Sequence, residues 1–263
     1  MYSMNQRYVE VKMKGSTCFI TLNRPEALNA LNMDLVDELF GRIKGLEAQE
    51  SVRFVVLQGV GKTFCSGADI KEGDVFDKKR SSIFLDKLNT VTNIIEDSEK
   101  IYFALINGYA LGGGFELVLA CDFRFATKSS KFALPEVKLG VIPGAGGCAR
   151  AVKVCGYANA VKIILTGRSF IAKEMFQMGT LHEVVDDSAD LEKELAKYIG
   201  CLKKNAPRAV GYAKKCLNSH FGQLRTEYLK KERNSYKKLL DTYDKREGIK
   251  AFLEKRKPVF KGK

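Results

Sequence analysis

The chain has 263 residues, 45% hydrophobic and 29% charged, a balance that suits a globular protein large enough to bury a core. No apolar run approaches the roughly 20 residues needed to cross a bilayer, so no membrane span is expected. The net charge of +13 is uneven: from Cys201 onward 19 Lys and Arg face 6 Asp and Glu, which leaves the rest of the chain neutral.

The seven cysteines are scattered and form no Cys-x-x-Cys pair, so reduced thiols are expected rather than a disulfide framework or a zinc site. The first residues lack the pattern of a secretory or transit signal, and with the thiols they point to a cytoplasmic protein. Only His182 and His220 are present, which excludes a histidine-rich metal site. His182, just before the apolar Val184-Val185, reads as structural.

Residues 8–22 alternate around Lys14-Gly15, with Val9, Val11 and Met13 before the turn and Cys18, Ile20 and Leu22 after it. They predict a β-hairpin, ended by Asn23-Arg24-Pro25. Leu28, Leu31, Leu35 and Leu39 then recur at helical spacing, with Asn32 or Asp34 as cap or first-turn residue. A strand is expected over 53–57, then a glycine-punctuated loop over 59–71 and a polar surface loop or lid over 73–80. A helix over 82–95 and a buried strand over 102–106 complete the alternation. Beyond Gly147 the period turns helical, over 149–165, 172–178 and 191–202, and from Ala206 onward almost wholly so. The shift from mixed α/β to basic all-α sets a boundary near residue 200, dividing the chain into 1–200 and 201–263, with Asn205-Ala206-Pro207 as hinge.

The charges of the tail are interleaved with Leu217, Phe221, Leu224 and Tyr228 at helical spacing, and no aromatic RNA-reading motif accompanies them. A solvated helical face is expected. Nucleic acid, not expected as a partner, is the second reading, and a small polyanion carrying several phosphates the third.

Three familiar motifs fail. Gly61-Lys62-Thr63 has Val56 where a phosphate-binding loop needs glycine. Gly144-x-Gly146-x-x-Ala149 follows Pro143 and lacks a clearly placed acidic partner about twenty residues on, so it makes a poor dinucleotide site. Ser66 lacks the Gly-x-Ser-x-Gly frame of a hydrolase.

The chemistry concentrates in residues 107–147. Gly112, Gly113 and Gly114 precede the apolar run Phe115, Leu117, Val118 and Leu119, which predicts a helix whose free N–H groups face a ligand. Side-chain-free residues there would let a carbonyl oxygen reach backbone amides, as an oxyanion hole requires; a tight turn for close packing is the plainer reading. Glu116 and Glu136, each beside glycine or proline and embedded in apolar sequence, could serve as dipole-compensating or turn residues. They could equally face each other as general base and general acid, burial raising at least one pKa.

Asn107-Gly-Tyr-Ala-Leu-Gly-Gly-Gly-Phe-Glu-Leu, the downstream Pro135-Glu-x-x-Leu-Gly-x-x-Pro-Gly-x-Gly-Gly and the loop Gly67-Ala68-Asp69-Ile70-Lys71 resemble the enoyl-CoA hydratase/isomerase, or crotonase, family. The resemblance extends from Asn23 to Pro258. It implies an α/β fold, a β-β-α spiral core with a C-terminal all-α oligomerisation region. It also implies that the backbone N–H groups of Ala68 and Gly113 hold a thioester carbonyl. Glu116 would then activate water, Glu136 would protonate the α-carbon, and Gly144 would support them. Ser66, Ala68, Asp69, Ile70 and Lys71 would contact coenzyme A, flanked by Glu26, Ala27 and Leu28. Phe252 and Lys255 would help close that site, often from a neighbouring subunit. Coenzyme A is part of the substrate, and no separate cofactor or metal is implied.

With both glutamates present, the resemblance favours hydration of a 2-enoyl-CoA. An isomerase, a dehydratase like those acting on carnitinyl-CoA, and a non-catalytic RNA- or partner-binding member are the alternatives. A homotrimer, or a hexamer of two trimers, is expected. The chain departs from the family pattern at Ile101 and over Cys148-Ala149-Arg150-Ala151-Val152, changes expected to line or support the acyl end of the pocket.

Overall fold

The computed structural model describes residues 8–72, 77–219 and 222–263. Strands β1 (Val9–Lys14) and β2 (Thr17–Leu22) form the expected antiparallel hairpin, and Gly15 at φ +59° supplies its left-handed turn residue.

Helix α1 (Met33–Glu47) begins later than the leucine spacing predicts. Asn29 is the cause. Its side chain accepts from the Arg24 amide at 2.9 Å and donates to the carbonyls of Val60 and Thr63 at 3.0 and 2.7 Å. Leu28 and Asn29 are thereby held at φ 53° and 54°, outside the right-handed helix. Asn32 then caps α1 by accepting from the Leu35 amide at 2.9 Å, and Leu35, Val36, Leu39, Ile43 and Leu46 form its buried stripe. Leu31 precedes the helix and makes an isolated parallel bridge to Ala68.

After α1 the chain repeats a strand, strand, helix unit three times. The first is β3 (Phe54–Gly59), β4 (Thr63–Cys65) and α2 (Lys78–Asp97); the second is β5 (Ile101–Ile106), β6 (Tyr109–Leu111) and α3 (Gly113–Ala120). The third is β7 (Phe123–Thr127), β8 (Lys131–Ala133) and α4 (Gly147–Thr166), the last kinked at Gly156. Among the described residues, the first strand of each unit joins a six-stranded sheet, ordered β1-β2-β3-β5-β7 and then Glu183–Val185, and the second a four-stranded sheet, ordered β4-β6-β8 and then Phe170–Ile171. Strands β9 (Phe170–Ile171) and β10 (Glu183–Val185) complete them. This is the β-β-α spiral that the family resemblance implies.

Strands β4, β6 and β8 run parallel. Their C-terminal ends therefore share one edge, and so do residues 66–69, 112–113 and 134–136 that follow them. Ligands collect at such an edge in open α/β sheets.

The large sheet is buried on both faces, so its central strands read as continuous apolar runs rather than alternating ones. Phe54, Val56, Phe103 and Leu105 turn toward Leu191, Leu195 and Ile199 of helix α6 (Ser188–Lys203), while Val55, Leu57, Tyr102 and Ala104 enter the main core.

Two expected boundaries shift. Asp77 caps α2 by accepting from the Arg80 amide at 2.9 Å, so residues 78–80 form a first helical turn instead of a loop; residues 73–76 lie outside the described residues. The chain after residue 147 is not purely helical, because β9 and β10 interrupt it around the short α5 (Ala172–Gln177). His182 is structural, its Nδ1 accepting from the Arg124 amide at 3.2 Å.

Helices α7 (Pro207–Ser219), α8 (Gly222–Leu239) and α9 (Tyr243–Leu253) follow. The chain then leaves the helix and folds back, with Arg256 on Glu247 at 2.6 and 2.9 Å and the Val259 amide on the same carboxylate at 2.8 Å. The anticipated apolar stripe is only partly described: Leu217 and Tyr228 are exposed, whereas Phe221 and the Leu224 side chain lie outside the described residues. Among the described residues no helix is long and apolar enough to cross a membrane.

Candidate active site

The glycine triplet has three different physical causes. Gly112 caps α3 at φ +49°, and its own amide donates to the Ala133 carbonyl at 2.9 Å. A Cβ on Gly114 would stand 2.6 Å from the Cys65 carbonyl oxygen, so this glycine serves close packing. Gly113 is the first helical residue, and its amide has no intrahelical acceptor. On the facing loop, the Leu31 amide donates to Gly67 O at 2.8 Å and the Asp69 amide to Leu31 O at 2.9 Å. This parallel pattern uses the residues on either side of Ala68 and turns the Ala68 amide the other way. Ala68 and Gly113 line one cavity.

Glu116 stands in the first turn of α3 and is 3% exposed. One carboxylate oxygen, Oε1, accepts from the Ala145 and Gly147 amides at 2.7 and 2.8 Å. Gly147 must be glycine for this contact, since a Cβ there would stand 2.7 Å from that oxygen. Burial, and then the charge of Glu232, push the Glu116 carboxyl up to about 8, against the two amides and Arg150, which favour its charged form.

Glu136 opens the 3-10 turn Glu136–Leu139 after β8. Its Oε2 is buried and has no hydrogen-bond partner among the described residues. Burial, then the charge of Glu116, hold this carboxyl well above the usual range. The two glutamates therefore differ in kind: the amides favour a charged Glu116, and the unpartnered oxygen favours a protonated Glu136. Both line the same cavity, which has a volume of about 160 Å³ and walls of Leu85, Leu88, Val141, Ile142 and Ile249.

The C-terminal helices complete the enclosure. Tyr236 of α8 and Lys245 and Ile249 of α9 line the cavity. The turn bearing Glu136 packs on α9 without intervening side chains: a Cβ on Gly140 would stand 2.4 Å from the Asp244 backbone, and one on Gly248 2.6 Å from that of Leu139.

A model of the family described as enoyl-CoA hydratase/isomerase matches residues 12–263. The chain belongs to the enoyl-CoA hydratase/isomerase family. It is 39% identical over 260 residues to a probable enoyl-CoA hydratase of Rhizobium meliloti strain 1021, covering 98% of this chain and 99% of that one. Among solved structures it resembles enoyl-CoA hydratase from Bacillus halodurans, with TM-score 0.87 and 26% identity over 93% of this chain and 100% of that one. Carnitinyl-CoA hydratase from Mycobacterium avium is similar at TM-score 0.82 and 30% identity, over 98% and 100% of the two chains.

Of the residues that family resemblance marks, Ser66, Ala68, Asp69, Ile70, Gly113, Glu116, Glu136 and Gly144 line the cavity. Glu26, Ala27, Leu28 and Lys71 do not. Ala27 and Leu28 stand behind the loop: the Ser66 amide donates to Leu28 O at 3.1 Å and its hydroxyl to Ala27 O at 3.5 Å. Arg24 fixes Asp69 through an ion pair of 2.6 Å, and the Lys71 amide donates to the same aspartate at 3.0 Å. Phe252 and Lys255 also lie off the cavity, Phe252 exposed and Lys255 at φ 54° beyond the end of α9.

The departures from the family pattern do not line the cavity. Ile101 packs under α6. Arg150, 2% exposed, braces the glycine loop by donating to Ala145 O at 2.8 Å, to Glu96 at 2.8 Å and to Asn93 at 2.7 Å. Sequence reasoning missed Glu232, a third buried carboxylate at this site. Its signal is helical: Leu229, Glu232 and Tyr236 share one face of α8, and that face turns inward. Among the described residues no group of three His, Cys, Asp or Glu could hold a metal ion.

Proposed function

We propose that this enzyme adds water reversibly across the 2,3 double bond of a 2-enoyl-CoA thioester, giving a 3-hydroxyacyl-CoA, and that Glu116 and Glu136 divide the proton transfers. The thioester carbonyl accepts from the Ala68 and Gly113 amides, which stabilise the enolate as negative charge develops on its oxygen. Glu116, in its charged form, takes a proton from water as the water oxygen bonds to the β-carbon. The enolate then collapses, and its α-carbon takes the proton of Glu136. Exchange with solvent returns Glu116 to its charged form and Glu136 to its protonated form.

The observation carrying this reading is the unequal hydrogen bonding of the two carboxyl groups, with two amides on Glu116 Oε1 and a bare Glu136 Oε2. A cavity of about 160 Å³ suits the reacting acyl end and not the whole thioester, because sites enclosing a drug-sized ligand run to several hundred Å³. Coenzyme A then lies outward along the loop over 66–70. A cytoplasmic homotrimer or hexamer is part of the same proposal.

Incubation with crotonyl-CoA in parallel with a 3-enoyl-CoA tests it. Hydration predicts conversion of crotonyl-CoA to 3-hydroxybutyryl-CoA, with slower or no shift of the double bond in the 3-enoyl ester. Isomerisation of the 3-enoyl ester without hydration of crotonyl-CoA would place the chain among the isomerases.

A further inference from the structure

Glu232 lies in a basic run, Lys230-Lys231-Glu232-Arg233, yet its side chain is 5% exposed. It spans the α4 N-terminus from the far side of the chain. Oε1 accepts from the Gly146 amide at 2.6 Å, and Oε2 accepts from the amides of Cys148 and Ala149 at 2.7 and 3.2 Å. Glu116 takes the amides between and beside these, Ala145 and Gly147. Five consecutive amides of one turn are thus divided between two carboxylates from two different helices, each fixing the backbone that orients the other. Gly146 at φ +91° is what lets successive N–H groups face opposite sides.

We infer that Glu232 is a positioning residue for hydration: by holding the 146–149 backbone it aims the Ala145 and Gly147 amides at Glu116. The inference rests on the reading of Glu116 as the base. Ordinary capping of α4 would need only one such carboxylate oxygen, whereas here both are used and the supporting helix is the one that carries Tyr236 into the cavity.

The charged surroundings set the sign of the effect. Glu116 faces Glu136 from the turn after β8, Glu232 and Tyr236 from α8, and Arg150 from its own loop's helix; Cys148 is the remaining titratable neighbour on α4. Burial raises the Glu232 carboxyl too, against its three amides and Arg150, which favour its charged form; in that form Glu232 opposes ionisation of Glu116, while Arg150 favours it. Removing the Glu232 charge while keeping its shape therefore lets Glu116 ionise at lower pH.

Three variants, Glu232→Gln, Glu232→Asp and Glu116→Gln, assayed with crotonyl-CoA across pH 5 to 9, decide the matter. Glu232→Gln is expected to lower kcat by roughly tenfold or more with KM within about threefold, and to move the acid limb of the kcat/KM profile down by roughly half a pH unit or more. Glu232→Asp, which keeps the charge, should leave the limb at its original pH while kcat still falls. A Glu232→Gln enzyme with the parent's kcat and pH profile and only a lower melting temperature would overturn the inference, leaving Glu232 a structural cap. If Glu232→Gln does not fold, Glu232→Asp decides: parent-like kcat overturns the inference. Near-parent turnover in Glu116→Gln would instead remove the underlying reading, and the inference with it.

Discussion

Glu116→Gln is expected to lower kcat for hydration of crotonyl-CoA by about a thousandfold, with KM changed less than about threefold. So selective a loss is expected because both amide contacts fall on a single oxygen, Oε1. A glutamine carbonyl can accept both, so the Ala145 to Gly147 backbone keeps its place and the thioester binds as before. Only the capacity to take a proton from water is lost. Steady-state kinetics beside the parent, with circular dichroism to verify folding, checks this. Near-parent turnover would remove Glu116 from the mechanism.

The second large effect has two parts that oppose each other. Glu136→Gln should reduce kcat by between about a hundredfold and ten-thousandfold, because glutamine has no proton for the α-carbon. It should also make the protein more stable. Burial, then the charge of Glu116, raise the proton affinity of Glu136 in the folded state above its value in the unfolded chain. As pH rises from about 5, the unfolded chain releases this proton while the native state retains it, so stability falls with rising pH. Glutamine, neutral at every pH, removes that part of the decline. The gain in unfolding free energy should be small at pH 5 and grow toward pH 8, as measured by urea denaturation. A variant stabilised equally at all pH values would show that Glu136 is not held protonated. Stability surrendered for a buried acid is what an active site of this kind exhibits.

The proposed reacting groups are far more legible in the sequence than their supports. Glu116, Glu136 and the three glycines lie within one stretch, and their residue types announce proton transfer and an open helix N-terminus. The hairpin, α1, β3, β5 and the C-terminal helices follow from period and turn chemistry. Strands β4, β6 and β8 do not, since three residues are too few to display alternation. They nevertheless place the site, as their common edge collects the loops that carry Ala68, Gly113 and Glu136. The delayed start of α1 depends on Asn29 bonding to Val60 and Thr63, a contact across more than thirty residues that no local pattern records.

Glu232 was hidden for a similar reason. In the sequence it is one acid among lysines, and charge runs on helices ordinarily face solvent. Its proposed role depends on a partner more than eighty residues away, the Gly146 amide. Gly144 shows the complementary case: it is visible as part of a glycine cluster, but the cause is packing, since a Cβ there would stand 2.7 Å from both Leu85 and Tyr236.

In the proposed mechanism a charged Glu116 and a protonated Glu136 act together within a carboxylate cluster of raised proton affinity. The pH dependence of kcat/KM for crotonyl-CoA in the parent enzyme tests it most directly. An acid limb is expected well above the ordinary carboxylate range, toward pH 8, as Glu116 loses its proton. A profile flat from pH 5 to pH 9 would contradict it.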